Sequence, residues 1–501
     1  MTKHLITLAL SFLITTLSWA QISSDSIYVM EDDLPNADIY LPAPPDTASM
    51  PFVDDMIQWQ WGKTQRNTPR GQQASVESLW LPDIMRTIVA QVLELDTISD
   101  TTTPALARLL VRSYYTGDRS TAAAKRTYMR TRPFVEMDED TWGLYDDDFL
   151  RANGSYPSGH SAFGFAVTLA FSEMWPEKQD TLMRRGFQFG ENRIITSAHY
   201  QSDVNAGYLC GAAAIARAHV NPEFEKDIQA ARAEYIALKG LPADYDPTID
   251  TPLPRGEKIL NLPVDTTSYR YLADIMRYWD AKRYYGTEQA EQACQYGNNS
   301  IDYLLLLFGN AMDMTLSADD TPAIAQLMSV VIDRSKEAAR ALKATNFRKR
   351  PYVQLGTHTL TPQYDDEERT ESSFASGHAT LGWALALVLT EVAPDHQDAL
   401  LRLGYDYGQA RLIVGFHWAT DIEAARLFAS AVVARLHANT TFLDQIQHAR
   451  QEYLNATGID EIRHATSPTL PFTPAYDLQG RRVAHPAKGI YIIGGRKVWF
   501  P

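Results

Sequence analysis

Two stretches of the chain are apolar on nearly every side, Ser161–Met174 and Ala379–Val392. A helix without a polar face must be enclosed by other helices, so each is expected at the centre of a bundle. Each is followed by an equivalent proline, Pro176 or Pro394, which a helix cannot run through. Alternating strand patterns are scarce until the end of the chain. There Tyr476-Asp477-Leu478, Gly489–Ile493 and Lys497–Phe500 predict short strands around Gly480 and Gly494-Gly495. The expected fold class is all-α: two tandem helical bundles and a short C-terminal β-hairpin-like tail.

Residues 1–20 have the pattern of a secretory signal peptide, with Lys3 and His4 before the apolar run Leu5–Leu17 and then Ser18-Trp19-Ala20. The run is short for a membrane-spanning helix, and no later stretch is long and apolar enough for one. Residues 21–50, acidic and carrying Pro35, Pro42, Pro44 and Pro45, predict an extended arm. Residues 51–239 and 264–457 form the two repeats, joined by the proline-rich linker 240–263, and the tail occupies 466–501. A length of 501 residues accommodates this many parts.

The polar positions carry the strongest signal. Lys125, Arg132, Ser158, His160, Arg193, His199 and Asp203 recur as Lys343, Arg350, Ser376, His378, Arg411, His417 and Asp421. The offset is constant: 343 less 125 and 421 less 203 are both 218. The apolar filler between these positions differs between the copies while the polar set does not, which marks a duplicated functional unit.

The formal net charge of −15 argues against nucleic acid and anionic membrane surfaces as partners. An anionic substrate must then be drawn in by a local basic pocket. Two cysteines, Cys210 and Cys294, provide no disulfide framework. Cys210 lies in an apolar run and reads as a buried small hydrophobe, with a Cys210–Cys294 bridge as the alternative.

Lys125 and Arg132 are seven residues apart, which predicts one helical stripe ended by Pro133; Lys343, Arg350 and Pro351 repeat the arrangement. Such a pair suits a doubly charged anion, the arginine through its two-pronged fork. Taken alone, such a pair is far more often a pair of solvated surface cations, because the spacing is common by chance. The segment Gly154-Ser155-Tyr156-Pro157-Ser158-Gly159-His160 precedes the first buried helix, and Ser376-Gly377-His378 the second. A serine hydroxyl, a glycine and the first amides of a helix make an anion cradle, with the histidine placed to protonate a departing oxygen. The alternative is a helix cap beside a satisfied histidine. Arg193 and His199 would face apart on one helix, so a break between them is expected at Thr196-Ser197-Ala198 and at Val414-Gly415-Phe416. Ser202 and Thr420 are the predicted N-caps of the next helix, with Thr420 and Glu423 as a capping box. Asp203 and Asp421 in its first turn would each hold one nitrogen of the nearby histidine and leave the other free to attack. Three cations, a hydroxyl, two histidines and a carboxylate suffice for metal-free phosphoryl transfer. No metal or cofactor is expected.

The motifs Lys-x6-Arg-Pro, Pro-Ser-Gly-His and Arg-x5-His-x3-Asp resemble the signature of the phosphatidic acid phosphatase type 2 and haloperoxidase superfamily. Gly154–His160, Gly190–Arg193 and Ala198–Asp203, with weaker support from Asn67–Ala74, are similar to the class A bacterial non-specific acid phosphatases. The resemblance implies His199 and His417 as nucleophiles forming a phosphohistidine, Asp203 and Asp421 as their orienters, and His160 and His378 as general acids. It implies phosphate binding by Lys125, Arg132, Ser158, Gly159 and Arg193 and by Lys343, Arg350, Ser376, Gly377 and Arg411. It also implies small phosphate monoesters as substrates and vanadate as an inhibitor or phosphate mimic.

The second copy departs in carrying Ser373-Phe374-Ala375 for Ser155-Tyr156-Pro157, a loss of some rigidity and one hydrogen bond, and Asn192 and Ala410 stand where the family has serine. Acidic segments, Asp138-Glu139-Asp140 with Asp146-Asp147-Asp148 and Asp365-Asp366-Glu367-Glu368, read as solvated loops. The C-terminal tail resembles the sorting tails of some exported bacterial proteins, which implies contact with secretion machinery; a packing hairpin is the alternative. The expected location is exported: periplasm, outer-membrane surface or secreted. A vanadate-dependent haloperoxidase and a non-catalytic phosphate-binding surface protein are the competing functions.

Overall fold

A computed structural model describes residues 26–458 apart from 146, 249–250 and 262, and, beyond them, 461–462, 475–479, 481–483, 488–493 and 496–500. The proposed signal peptide lies outside the described residues. The fold is all-α with a small sheet near the C-terminus, as the apolar pattern predicts.

Each repeat is built around its all-apolar helix, Gly159–Met174 or Gly377–Val392. Both begin two residues earlier than the apolar run, because Ser158 and Ser376 cap them: each Oγ accepts from the third amide on, at 3.3 and 3.4 Å. Around the first pack Pro104–Arg119, Gln179–Ile195 and Gln201–Ala218; around the second pack Pro322–Thr345, Gln397–Val414 and Ala419–His437. The repeats also touch reciprocally. Gly159–Met174 packs on Ala419–His437, and Gln201–Ala218 packs on Gly377–Val392. Equivalent surfaces meeting in this crossed way are the mark of a pseudo-two-fold interface. One continuous apolar core runs through both halves. Among the described residues no helix is long and apolar enough to cross a membrane.

The N-terminal arm is not simply extended. Its described part contains a turn at Glu31–Asp33 and a short helix at Ala37–Tyr40, and Tyr28, Val29, Leu34, Tyr40 and Leu41 are buried. It straps both halves, since Tyr28 Oη donates to Asp227 at 2.8 Å and the Asn36 amide to Asp398 at 2.7 Å. The tail exceeds a hairpin. Gly489–Ile493 and Arg496–Phe500 pair antiparallel, Ala475–Tyr476 joins the Gly489–Ile493 edge, Arg482–Val483 pairs with Ala475–Tyr476, and Glu461–Ile462 adds in parallel on the far side. The predicted strand over 476–478 is thus shifted to Ala475–Tyr476; Gly480 and Gly494-Gly495 lie outside the described residues. Cys210 is buried, and both cysteines are free.

Candidate active site

Lys125 and Arg132 do not share a helical stripe. Lys125 sits in the last turn of Ala122–Tyr128, the chain then turns through Met129 at φ 39°, and Arg132 is the extended residue before a new short helix, Pro133–Glu136. Lys343, in the last turn of Pro322–Thr345, and Arg350 are also separated by a helix end, here at Asn346 with φ −135°, and Pro351 opens Pro351–Leu355. The prolines start helices where their spacing suggested they end one, because a missing amide costs nothing in the first turn. The two cations still converge: Lys125 Nζ and Arg132 Nη2 both donate to the Gly154 carbonyl, at 2.7 and 3.2 Å. Arg132 is held further by the carbonyls of Leu150, Asn153 and Ala198.

The break between Arg193 and His199 is present. Gln179–Ile195 ends in a turn at Ser197, φ 62°, and its counterpart Gln397–Val414 ends at Gly415, φ 99°. The amides of His199 and His417 both return to the carbonyl of the motif arginine, at 3.2 and 3.3 Å. Arg193 donates to the Tyr145 hydroxyl and to the Glu77 carbonyl, the latter at 2.8 Å. Among the described residues Arg193 Nε and Arg411 Nε have no hydrogen-bond partner although both are buried, which leaves donors for an anion. His160 Nε2 lies 3.1 Å from the Ser78 carbonyl and His378 Nε2 3.0 Å from that of Gly297.

The helices bearing the aspartates are capped differently from the prediction. They start at Gln201 and Ala419, so Tyr200 and Trp418 are the cap residues. Asp203 and Asp421, at the third position, accept from the Tyr200 and Trp418 amides at 2.8 and 2.9 Å. Ser202 and Thr420 instead bind carboxylates from outside the motifs: Ser202 Oγ donates to Asp55 and Thr420 Oγ1 to Asp274, both at 2.6 Å.

Nor does either aspartate hold its histidine directly. Asp203 Oδ2 is 3.6 Å from His199 Nδ1, and Ser155 Oγ touches both from the side, 2.5 Å from the carboxylate and 3.3 Å from the ring. In the second site Asp421 Oδ2 is 3.7 Å from His417 Nδ1, which instead faces the Ser373 carbonyl at 2.8 Å. On the other side of each ring, Nε2 lies 3.0 Å from Arg132 Nη1 and 3.2 Å from Arg350 Nη1. A guanidinium has no lone pair to offer, so Nε2 must accept and the ring proton sits on Nδ1.

Sequence reasoning missed the groups behind this arrangement. Arg130 bridges Asp203 and Asp55 at 2.6 and 2.8 Å, and Arg348 bridges Asp421 and Asp274 at 2.5 and 2.7 Å. The arginines obey the same offset and were legible in it. Asp55 and Asp274 are 219 apart, one residue out of phase, and nothing in the motifs points to them.

The electrostatics follow from burying cations together. Burial and Arg132 push Lys125 down to about 7, and burial and Arg350 push Lys343 down to about 8. Burial holds Arg132 and Arg411 at about 10. Burial and then Arg132 bring His199 to about 3, and burial and Arg350 hold His417 well below its ordinary value. Burial with Arg193 or Arg411 does the same to His160 and His378. Burial alone would raise Asp203, but Arg130 and His199 hold it below the usual carboxylate range.

The departures of the second copy are visible. Tyr156 Oη donates to the Pro42 carbonyl at 2.7 Å, the bond that Phe374 cannot make. The Tyr156–Pro157 and Phe374–Ala375 peptides are nonetheless both cis. Asn192 donates to Glu77 at 2.7 Å, a contact unavailable to Ala410. The acidic segments are not simply solvated. Glu139 takes Lys63 and Arg66, Asp365 is buried against Thr359, and Glu368 accepts from Arg350; Asp146 lies outside the described residues.

Comparison with known proteins agrees with the doubling. The PAP2 superfamily profile matches residues 105–225 and again 323–443. A non-specific acid phosphatase of Providencia stuartii is 38% identical over 200 residues, 40% of this chain and 80% of the relative. One from Salmonella typhimurium is 38% identical over 205 residues with the same coverage, and an acid phosphatase of Zymomonas mobilis is 38% identical over 131 residues, 26% of this chain and 50% of the relative. The first two matches are therefore each about as long as one repeat. With the same doubled set found in space as in sequence, the chain belongs to the PAP2 superfamily and is a hydrolase of its acid phosphatase type.

Proposed function

We propose that each half is a separate active site that hydrolyses small phosphate monoesters through a phosphohistidine, in an exported, metal-independent enzyme. The observation that carries this reading is the pairing of a neutral, Nδ1-protonated histidine with a buried guanidinium at its Nε2, repeated in both halves. An unprotonated Nε2 beside a phosphate-binding fork is a nucleophile aimed at phosphorus.

The step balances as follows. His199 Nε2 attacks phosphorus in line with the ester oxygen, the Nε2–P bond forms and the P–O bond breaks. His160 gives its proton to the departing oxygen. Arg132, Arg193, Lys125, the Ser158 hydroxyl and the Gly159 amide hold the equatorial oxygens. Water then attacks the phosphohistidine, His160 takes a proton from it, and phosphate leaves. Asp203, fixed by Arg130, supports the developing positive charge on His199 through Ser155. His417, His378, Asp421, Lys343, Arg350, Ser376, Gly377 and Arg411 take the same roles. The low basicity of His199 suits acid conditions, since Nε2 stays unprotonated where a free imidazole would not.

The test is hydrolysis of a chromogenic aryl phosphate by wild type, His199→Ala, His417→Ala and the double variant. Each single variant should keep the turnover of the other site, and the double should lose at least about a thousandfold. Retained turnover in the double variant would remove the mechanism. Alkaline quenching during turnover should trap phosphate on both histidines. Vanadate should inhibit; bromide oxidation with peroxide and vanadate, in place of ester hydrolysis, would favour the haloperoxidase reading. N-terminal sequencing of the exported chain should begin at Gln21.

A further inference from the structure

A second polar set obeys the same offset and lies outside both active sites. Glu173 and His219 recur as Glu391 and His437, again 218 positions on. Glu173 and Glu391 are the penultimate residues of the two central helices, while His219 follows Gln201–Ala218 and His437 ends Ala419–His437. Because these helices cross reciprocally, all four side chains converge on the pseudo-two-fold seam between the repeats.

They meet closely. The His219 and His437 rings stack with centroids 4.1 Å apart. Glu173 Oε2 is 3.1 Å from His219 Nε2, and Glu391 Oε1 is 2.8 Å from His437 Nε2. One ligand atom each from Glu173, His219 and His437 lie within 4.8 Å of one another. His437 Nδ1 faces the Val433 carbonyl at 2.8 Å and its Nε2 lies 2.9 Å from Glu391 Oε2, so Nε2 is the nitrogen turned toward the carboxylates. Leu169, Ile215, Leu387 and Val433 line the surrounding cavity of about 10 Å³.

The set is poorly satisfied by itself. Glu173 Oε2, His219 Nε2 and Glu391 Oε1 are buried without a hydrogen bond of acceptable geometry among the described residues. Two carboxylates in an apolar seam cost several kcal/mol per ion unless neutralised. A divalent cation would meet the same charge with both carboxylates ionised and both imidazoles neutral.

We propose that His219, His437 and Glu173, with Glu391 as fourth donor, form a structural zinc-type site that clamps the two repeats together. Two imidazoles with carboxylate oxygens are a zinc donor set, and a cavity of about 10 Å³ has no room for substrate. Tetrahedral zinc with bonds of about 2.0–2.1 Å places its ligands about 3.3 Å apart. The Glu173–His219 edge is 3.1 Å, the other edges of the Glu173–His219–His437 triad are within 4.8 Å, and Glu391 would have to turn from His437 toward the ion.

The experiment uses the full chain, stripped with chelator and titrated with zinc chloride or cobalt chloride alone. One equivalent should bind per chain by elemental mass spectrometry. The unfolding temperature should rise until that equivalent is filled, and cobalt should show the visible d–d band of a tetrahedral ion. His219→Asn with His437→Asn should abolish the equivalent while aryl-phosphate turnover persists. Should that double variant not fold, Glu173→Gln serves instead, with affinity expected to fall at least about tenfold. Failure of wild type to bind one equivalent, or undiminished binding in the variants, overturns the proposal.

Discussion

Arg130 and Asp203 form a buried ion pair, Nη1 to Oδ1 at 2.6 Å, that fixes the carboxylate behind the His199 ring. The same guanidinium reaches Asp55, so one cation serves two buried anions. Removing one partner of such a network leaves uncompensated charge and costs about 3–5 kcal/mol. Arg130→Met in the His417→Ala background should lower the unfolding temperature and cut kcat about 10- to 100-fold, with KM changed less. Arg130→Lys should recover part of the stability. An unchanged kcat would show that Arg130 does not act through His199.

The second site carries an internal competitor. Arg350 donates to the carboxylate of Glu368, whereas the equivalent position of the first site is Leu150. The Glu368 side chain is 41% exposed, so solvent screens the pair. In the His199→Ala background, Glu368→Leu should lower KM about two- to fivefold and leave kcat near its starting value. A raised KM would mean that Glu368 organises the fork and does not compete for it.

The two lysines set different alkaline limits. A lysine whose proton is lost above its depressed value binds the anionic substrate only below that value, so kcat/KM should fall as pH rises. With His417→Ala the fall should centre near pH 7, from Lys125, and with His199→Ala near pH 8, from Lys343. Lys125→Arg should carry the first limb upward by about two units or more, since guanidinium stays charged. Coincident limbs in the two single variants would disprove the assignment.

Anion binding should take up a proton at mildly acidic pH. His160 is held neutral in the free site, first by burial and then by Arg193 and His199. A bound phosphate or vanadate reverses the local field and raises the histidine, so protonation follows binding. Titration calorimetry at about pH 6 in buffers of unequal ionisation enthalpy measures the uptake. His160→Asn, with His378→Asn to silence the second site, should abolish it.

Much of this protein was legible before folding was considered. The all-apolar helices at 161–174 and 379–392 marked the bundle centres, because such a helix has no stable place but the inside. The break between Arg193 and His199 was legible because helical geometry forbids both from facing one pocket. The spacing of Lys125 and Arg132 misled, since seven residues fit two helical turns as well as they fit a turn at Met129. The caps at Ser202 and Thr420 misled for a related reason. Their hydroxyls suit a cap, but Asp55 and Asp274 compete for them more strongly.

The sequence by itself determined the fold class, the repeat and the groups that can hold a phosphoryl ester, since these depend on residue type and local period. Tertiary structure alone decided what stands behind each histidine, and that the two halves share a core with Glu173, His219, Glu391 and His437 at its seam. Those contacts join residues far apart along the chain. Their geometry is set by how helices pack, and no local pattern encodes it.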